Sequence, residues 1–342
     1  METSNLLSLP SADSEVSTFT LGVLLSQFEK LALPPVENIL HGLPRGFIGL
    51  LNASTNVGKS TWMRNLLVCT ATGKPFKPIL SSGRPRKVAL IDFEETQSTL
   101  RQDLGIMTRN LDADAKQLLG KNLLVLCDEV GPDGRALSLL EDAHLGAVMN
   151  ALRAFRPDLV IIDMMAAAFC IEDENNNAEV TRRVMNPLRK IGRELNAAVL
   201  IAHHRGKSRF DGNSSVDSAH RSRGASAYGD QSRLVLNLDR YDSTNGVRLS
   251  CGKTKGAYFK PTLFNLDTTT RWFHYCGDVE IKSGYGEWLD KIEPDREYKT
   301  RELIELASAK STANDYRKQA LKSGELKRVG HGVYSKPENL TT

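Results

Sequence analysis

Ala53-Ser-Thr-Asn-Val-Gly-Lys-Ser-Thr61 follows an apolar run, residues 47–51, and precedes a segment with helical spacing, residues 62–70. A phosphate-binding loop needs this order of strand, short loop and helix, because backbone N–H groups and a helix N-terminus then surround the phosphates. In such a loop the ammonium of Lys59 reaches the β- and γ-phosphate oxygens, and the hydroxyl of Ser60 takes a Mg²⁺ position. The stretch therefore predicts a nucleoside triphosphate site. A Gly-Lys-Ser turn of chance composition is the alternative.

The predicted cofactors are ATP and Mg²⁺. The residues expected to contact the nucleotide are Asn56, Val57, Gly58, Lys59, Ser60 and Thr61. The loop departs from the usual pattern at its first position, where Ala53 replaces a glycine. Because alanine resists positive φ, the loop is expected to open along a slightly different backbone path.

Cleavage of a γ-phosphate also needs one carboxylate for Mg²⁺ and one that activates water, both at the C-terminal ends of neighbouring strands. Residues 159–163 are a continuous apolar run ending in an acid, which is typical of a strand buried on both faces. Asp163 is the predicted Mg²⁺ ligand. Residues 87–95 contain a second such run, and Glu94 is predicted to orient the attacking water. The alternative for both acids is that they cap the helices that follow.

A third apolar run, residues 197–202, is followed by His203 and His204. A histidine at a strand end can hydrogen-bond a phosphate on one side and a neighbouring element on the other, which favours a sensing role for one of the pair. No cysteine or histidine spacing nearby would complete a metal site. A histidine that only serves packing is the alternative.

Together these motifs resemble the RecA-like ATPases, especially the plasmid RepA-type hexameric replicative helicases and related phage ATPases. The resemblance covers roughly residues 19–266, and further marks of it are residues 43–46, 173–175 and 223–227. It implies that Lys59 and Ser60 bind nucleotide, that Glu94 is the catalytic base, that Asp163 holds the metal and that His204 contacts the γ-phosphate.

The resemblance also implies a homo-oligomeric ring, such as a hexamer, in which a positive charge from one subunit completes the ATP site of the next. Arg233, which opens the strand-like residues 234–238, is a candidate for this arginine finger. Lys253 and Lys255, alternate residues on one strand face, are candidates for the same role in trans. Exposed basic residues near a strand end are the alternative, because surface charges are frequent.

The segment between His204 and Gly224 is rich in Gly and Ser and has no apolar period, which predicts a mobile loop. In RecA-like rings the loop after this strand faces the central channel. It is expected to hold single-stranded DNA through phosphate contacts, with Phe210 stacking on a base. Its five cations are Arg205, Lys207, Arg209, Arg221 and Arg223. A solvated surface loop without a ligand is the alternative.

Composition sets the frame for these motifs. The 342 residues are 40% hydrophobic, enough for one large core and a smaller second one, and the net charge of +4 is weak evidence for nucleic acid. Five scattered cysteines without a C-x-x-C pair indicate reduced thiols in a cytoplasm. No apolar run reaches the length of a membrane span, and the Ser-rich N-terminus has no apolar core for cleavage. The prediction is a cytoplasmic protein without a membrane anchor.

Alternating strands and helices predict an α/β fold, a RecA-like doubly wound and mostly parallel sheet of the P-loop NTPase type. Helical spacing predicts helices over residues 137–155 and 177–195, the second interrupted at Pro187. The predicted organisation is a flexible N-terminus, residues 1–18, an ATPase domain, residues 19–278, and a small winged-helix-like domain, residues 284–338.

The last of these domains rests on three short helical segments, residues 285–292, 299–307 and 311–323, followed by a hairpin. This pattern resembles winged helix-turn-helix domains, in which the third helix enters the major groove of duplex DNA. Between Lys310 and Lys336 there are seven Lys or Arg against two acids, which favours a DNA-facing surface. A protein-docking module is the alternative, because fold alone does not fix function.

Two functions remain open at this stage. The first is a ring-forming helicase-type ATPase that moves on single-stranded DNA in the replication of a plasmid, phage or mobile element. The second is a DNA-binding ATPase switch that acts as a regulator or loader without unwinding. A recombinase filament is a weaker third, because it gives no reason for the C-terminal module.

Overall fold

The structure is a computed structural model that describes residues 29–30, 35–80, 83–127, 133–204, 225–241, 245–256, 258–279, 284–307 and 310–337. The chain divides into two compact units, residues 1–36 and residues 37–342, and every element below belongs to the second. The predicted flexible N-terminus and the five cations of the predicted DNA-binding loop lie outside the described residues.

The central element is a nine-stranded sheet. Its strands are β3 Ile48–Ala53, β4 Val88–Asp92, β5 Leu123–Leu126, β6 Leu159–Asp163, β7 Ala198–His204, β8 Leu234–Arg240, β9 Gly246–Lys253, β10 Thr262–Asp267 and β11 Trp272–Asp278. Their order in the sheet is β11-β10-β9-β8-β3-β7-β6-β4-β5. The six strands from β8 to β5 are parallel, and β9, β10 and β11 continue the sheet in antiparallel fashion. A short pair, β1 Asn38–Leu40 and β2 Leu43–Pro44, precedes them. The prediction of an α/β fold with a mostly parallel sheet is confirmed.

Helices connect these strands on both faces of the sheet. They are α1 Lys59–Thr72, α2 Gln97–Thr108, α3 Ala113–Asn122, α4 Asp142–Phe155, α5 Met165–Ala168, α6 Asn177–Val180, a π-helix over Thr181–Met185, α7 Asn186–Glu194 and α8 Ala227–Gln231. Successive strand residues point to opposite faces. Leu51 accordingly packs in the core that contains Trp62 of α1, whereas Leu50 packs in the core that contains Leu152 of α4. Burial on both faces explains why the central strands read as unbroken apolar runs.

Two helices differ from their predicted extent. The helix predicted over residues 137–155 begins only at Asp142. The segment over residues 177–195 is helical throughout but contains the π-helix, and α7 then starts with Pro187 in its first turn. Met185 and Asn186, the residues before this proline, keep helical backbone angles, so the chain continues as a helix past Pro187 instead of breaking.

The C-terminal residues form a small core of their own around Trp288, Tyr298, Leu303 and Leu326. The indole N–H of Trp288 donates to the carbonyl oxygen of Leu303 at 2.9 Å. The elements are α9 Gly284–Asp290, β12 Glu297–Lys299, α10 Thr300–Glu305, α11 Lys310–Ser323, β13 Lys327–Gly330 and β14 Val333–Ser335. The three strands form an antiparallel sheet in the order β12-β14-β13. Three helices and a hairpin are thus present, together with a strand, β12, that was not predicted.

Within the described ranges, no helix has both the length and the apolar character that crossing a membrane requires.

Candidate functional site

The loop between β3 and α1 is built to hold an anion. Asn56 and Gly58 have φ values of 62° and 88°, so the chain turns through the left-handed region twice before the helix starts. Gly58 is the N-cap of α1, and no side chain in the described part of the protein caps that end. The first turn of α1 contains no acid. Its backbone N–H groups and the positive end of the helix dipole are therefore available to a phosphate.

Ala53 fits the loop because it is still part of β3. It is fully buried and pairs in register with His204 of β7 on one side and Leu238 of β8 on the other. An extended residue needs no positive φ, so the left-handed turns fall to Asn56 and Gly58 instead. The same register sets His204 beside the first residue of the loop, at the C-terminal edge of the sheet.

Lys59, Ser60 and Asp163 meet behind this loop. The side chain of Lys59 is buried, with its Nζ 3.7 Å from the sulfur of Met164, the residue after Asp163. Burial lowers the pKa of Lys59, while the nearby carboxylates of Asp163 and Glu94 act to raise it. The ammonium is thus shielded from water and close to two acids, where its charge acts strongly on a bound phosphate.

Asp163 and Ser60 fit a divalent cation. Asp163 is only 2% exposed, and its carboxylate hydrogen-bonds the side chain of Ser60. Burial raises the pKa of Asp163, and its Oδ1 has no hydrogen-bond partner among the described residues. A buried carboxylate oxygen without a partner is costly. A hydroxyl and a carboxylate are ligands that Mg²⁺ accepts alongside phosphate oxygens and water, so these residues could hold that ion.

Glu94 approaches the same site from the adjacent strand. Asp92 and Asp163 are register partners at the ends of β4 and β6, and the N–H of Phe93 donates to the carbonyl oxygen of Asp163 at 2.7 Å. Glu94 reaches solvent, but protein atoms partly surround its carboxyl group. Partial burial and the charge of Asp163 raise the pKa of Glu94, and Lys59 opposes that shift. The structure therefore brings Lys59, Asp163 and Glu94 together around the phosphate loop.

Arg233 and the two candidate lysines lie at the opposite end of the parallel strands from the phosphate loop. The backbone N–H of Arg233 donates to the carbonyl oxygen of Ile48 at 2.7 Å, and its guanidinium carbon lies 4.9 Å from the centre of the Phe47 ring. Phe47 precedes the strand whose far end enters the phosphate loop. The six residues from Ile48 to Ala53 span roughly 17 Å, so Arg233 does not join the phosphate loop of its own chain.

Lys253 and Lys255 share a cavity of about 430 Å³ with Arg233 and Phe47. The Nζ of Lys253 donates to the carbonyl oxygens of Gly229 at 2.9 Å and of Asp230 at 2.7 Å. Lys255 is exposed. Three cations therefore line this cavity, which lies at the N-terminal ends of the parallel strands, away from the phosphate loop.

A buried ionic group behind the phosphate loop was not predicted from the sequence. Arg64 of α1 is 3% exposed and pairs with Asp92 at 3.2 Å and with Asp103 at 2.6 Å. The only sequence signal for it is an arginine within the mostly apolar residues 62–68. A charge in that setting has to be buried with partners, but the spacing does not reveal which acids supply them.

The fold and this site define the chain as a P-loop ATPase, a class that binds nucleotide, typically with Mg²⁺. The chain belongs to the AAA domain family, whose model matches residues 14–209. No curated protein matches it.

Solved structures with similar folds include a KaiC-like protein from the hyperthermophilic archaeon Pyrococcus horikoshii OT3, which is 15% identical, with a TM-score of 0.49. That match covers 70% of this chain and 99% of the other. Another is the RadB recombinase, 16% identical, with a TM-score of 0.46, covering 70% of this chain and 93% of the other.

Proposed function

We propose that the protein is a ring-forming, helicase-type ATPase that moves on single-stranded DNA in the replication of a plasmid, phage or other mobile element. The observation that carries this proposal is that the candidate site residues lie at opposite ends of the parallel strands. Lys59, Asp163 and Glu94 lie together at the C-terminal ends of these strands, and Arg233 lies at their N-terminal ends. A head-to-tail contact between copies brings the two ends together, and such contacts close into rings when the rotation allows it.

Each residue has a defined task in the proposed reaction. Lys59 binds the β- and γ-phosphate oxygens, and Glu94 orients water for attack on the γ-phosphorus. Ser60 and Asp163 would hold Mg²⁺, which when bound would neutralise phosphate charge. His204, beside Ala53 at the mouth of the loop, contacts the γ-phosphate and distinguishes ATP from ADP.

The neighbouring subunit completes the site in this proposal. Arg233 approaches the γ-phosphate in trans and stabilises the charge that develops in the transition state, with Lys253 and Lys255 beside it. Because these cations come from another chain, hydrolysis depends on assembly. Successive hydrolysis around a ring is then a way to move DNA in its channel.

DNA contacts are assigned to two places. The basic residues between His204 and Gly224 are proposed to bind single strands through their phosphates. The C-terminal module is proposed to be a winged-helix-like domain whose α11 faces duplex DNA. Support comes from the exposed Lys327 and Arg328 on β13 and from Arg317 of α11, which lies over the ring of Tyr334 at 5.3 Å.

A motor is expected to hydrolyse ATP several-fold faster when single-stranded DNA is present, and to displace a strand from a forked duplex only with ATP. The physical reason is that DNA in the channel aligns the subunits and therefore the groups acting in trans. The measurements are phosphate release with and without single strands, and strand displacement followed by fluorescence. A blunt duplex of the same sequence is the control and is expected to stimulate little. Equal rates with and without single strands, and no displacement, would contradict the motor.

A trans-acting Arg233 also predicts complementation between two inactive variants. Lys59→Met and Arg233→Ala are each expected to hydrolyse ATP very slowly, because one loses the phosphate ligand and the other the finger. In a mixture, a subunit with an intact Lys59 can sit beside one with an intact Arg233, so part of the activity is expected to return. The double variant Lys59→Met/Arg233→Ala is the control and should not rescue either single variant, because no such mixture pairs an intact Lys59 with an intact Arg233. Failure of every mixing ratio to restore activity would remove Arg233 from this role.

The alternative function is a DNA-binding ATPase switch that regulates or loads other proteins without unwinding DNA. The basic surface of the C-terminal module favours this alternative, because a regulator needs to bind a defined site on duplex DNA. It predicts preferential binding to a duplex site and little stimulation by single strands. The hydrolysis and displacement measurements above therefore separate the two functions.

A further inference from the structure

We propose that Asp92 is a positioning residue for Glu94, held in place by Arg64. The inference rests on the proposed function, in which Glu94 orients the attacking water. It concerns the last residue of β4 and the buried ion pairs behind it, none of which touches the phosphate loop's ligand positions.

Asp92 fixes the backbone that carries Glu94. Its Oδ1 accepts hydrogen bonds from the backbone N–H groups of Glu94 at 3.1 Å and Glu95 at 3.0 Å. Phe93, the residue between Asp92 and Glu94, donates its N–H to the carbonyl oxygen of Asp163. Three consecutive N–H groups after the strand are therefore held, two by one carboxylate oxygen and one by the strand that ends in Asp163. A side chain on a fixed backbone reaches fewer positions, which favours a single orientation of the Glu94 carboxylate.

Arg64 holds the second oxygen of Asp92. Its guanidinium donates to Asp92 Oδ2 at 3.2 Å and to Asp103 Oδ2 at 2.6 Å, and it lies 3.7 Å from a carboxylate oxygen of Glu95. Arg271 pairs with the other oxygen of Asp103. Arg64 belongs to the helix that starts at Lys59. The turn carrying Glu94 and the helix that starts at the phosphate loop are thus joined through one buried cation.

Charge pairing alone does not account for this arrangement. Asp92 and Asp103 both pair with Arg64 and are both buried, at 1% and 7% exposure, but only Asp92 also binds the turn of residues 94–95. A buried ion pair kept only for stability can often be replaced by apolar side chains at little cost. Asp103 is therefore the natural control for Asp92, since it tests the loss of a buried partner of Arg64 without the loss of the turn.

The test compares Asp92→Ala with Asp103→Ala. Both are expected to lower the melting temperature, because each removes a partner of Arg64. Asp92→Ala is expected to reduce kcat by about 10²-fold, the scale of a misplaced catalytic group, while KM for ATP stays close to that of the wild type. Asp103→Ala is expected to retain most of kcat. Asp92→Asn, which keeps an oxygen for both N–H groups, is expected to recover much of the activity lost in the alanine variant.

Arg64 keeps Asp103 and Glu95 as partners in Asp92→Ala, so this variant is expected to fold. Should it not fold, Asp92→Leu fills the space and still lacks the acceptor. Equal losses of kcat in the Asp92 and Asp103 variants, or no recovery in Asp92→Asn, would overturn the inference and leave a purely structural ion pair.

A double-mutant cycle with Glu94→Gln distinguishes this inference from the proposed function. If Asp92 acts through Glu94, Asp92→Ala should slow hydrolysis much less in the Glu94→Gln background than in the wild type. If the two losses multiply, Asp92 acts independently and the inference fails while the role of Glu94 stands. If Glu94→Gln alone hydrolyses ATP at the wild-type rate, the proposed role of Glu94 fails first.

Discussion

Replacement of Lys59 by methionine is expected to lower kcat/KM for ATP by about 10²–10³-fold, the range for loss of one electrostatic group in a site closed to water. The ammonium is buried near Asp163 and Glu94, where solvent screens it little. Without it, the phosphates meet two carboxylates and no cation from this chain's loop. Methionine keeps the aliphatic stem of lysine, so the change removes charge with little change of packing.

Stability separates loss of binding from loss of folding in this variant. Burial lowers the pKa of Lys59, so the unfolded chain binds that proton more tightly than the folded one. Below the lowered pKa the charged amine therefore costs stability, a cost that fades as the pH rises through that pKa. Lys59→Met is expected to melt at the wild-type temperature or above it without nucleotide, but to lose the rise in melting temperature that ATP produces.

The matched control is Lys74→Met. Lys74 lies just beyond the C-terminal end of the same helix, and its exposed side chain pairs with Asp112 at 3.7 Å. The same charge is removed there without touching the phosphate loop, so ATP binding and hydrolysis should remain. If Lys59→Met hydrolyses ATP at the wild-type rate and ATP still raises its melting temperature, the loop does not form the phosphate site.

The sequence was sufficient for the strands that are buried on both faces. β3, β4, β6 and β7 are mostly apolar, and each leads to a residue of the site or of its loop. β5 was not predicted because only four half-exposed residues form it at the edge of the sheet. At the opposite edge, β10 and β11 were missed for a similar reason, since exposed and polar positions interrupt their apolar pattern.

The site shows the same limit. Lys59 and Ser60 are recognisable because neighbours in sequence form one loop. Arg64 and its two acids are not, since they are separated by 28 and 39 residues and meet only when α1, β4 and α2 pack together. Arg233 has an intermediate status. It visibly precedes a strand, but its separation from the phosphate loop follows only from the parallel pairing of β8 with β3, which periodicity does not specify.

Replacement of Glu94 by glutamine is expected to lower kcat by about 10²–10⁴-fold while ATP still binds, because glutamine keeps the shape of glutamate but cannot accept a proton from water. A pH profile of the wild type tests the same role. Partial burial and the charge of Asp163 raise the pKa of Glu94 above its ordinary value of 4.5. As the pH falls through this raised pKa the carboxylate becomes protonated, so kcat/KM of the wild type is expected to fall at a higher pH than for an ordinary glutamate.

Glu95→Gln is the control for this substitution. Glu95 is the next residue, its carboxylate lies 3.7 Å from Arg64, and its side chain is 34% exposed. Glu95→Gln removes the same charge from the same turn. A large loss of kcat in Glu94→Gln and a small loss in Glu95→Gln would therefore assign the water-activating role to Glu94. The measurements are phosphate release for kcat and ATP-dependent melting for binding. Comparable kcat values for Glu94→Gln and the wild type would require a different base, and the loss of ATP-dependent stabilisation in Glu94→Gln would make Glu94 a binding residue instead.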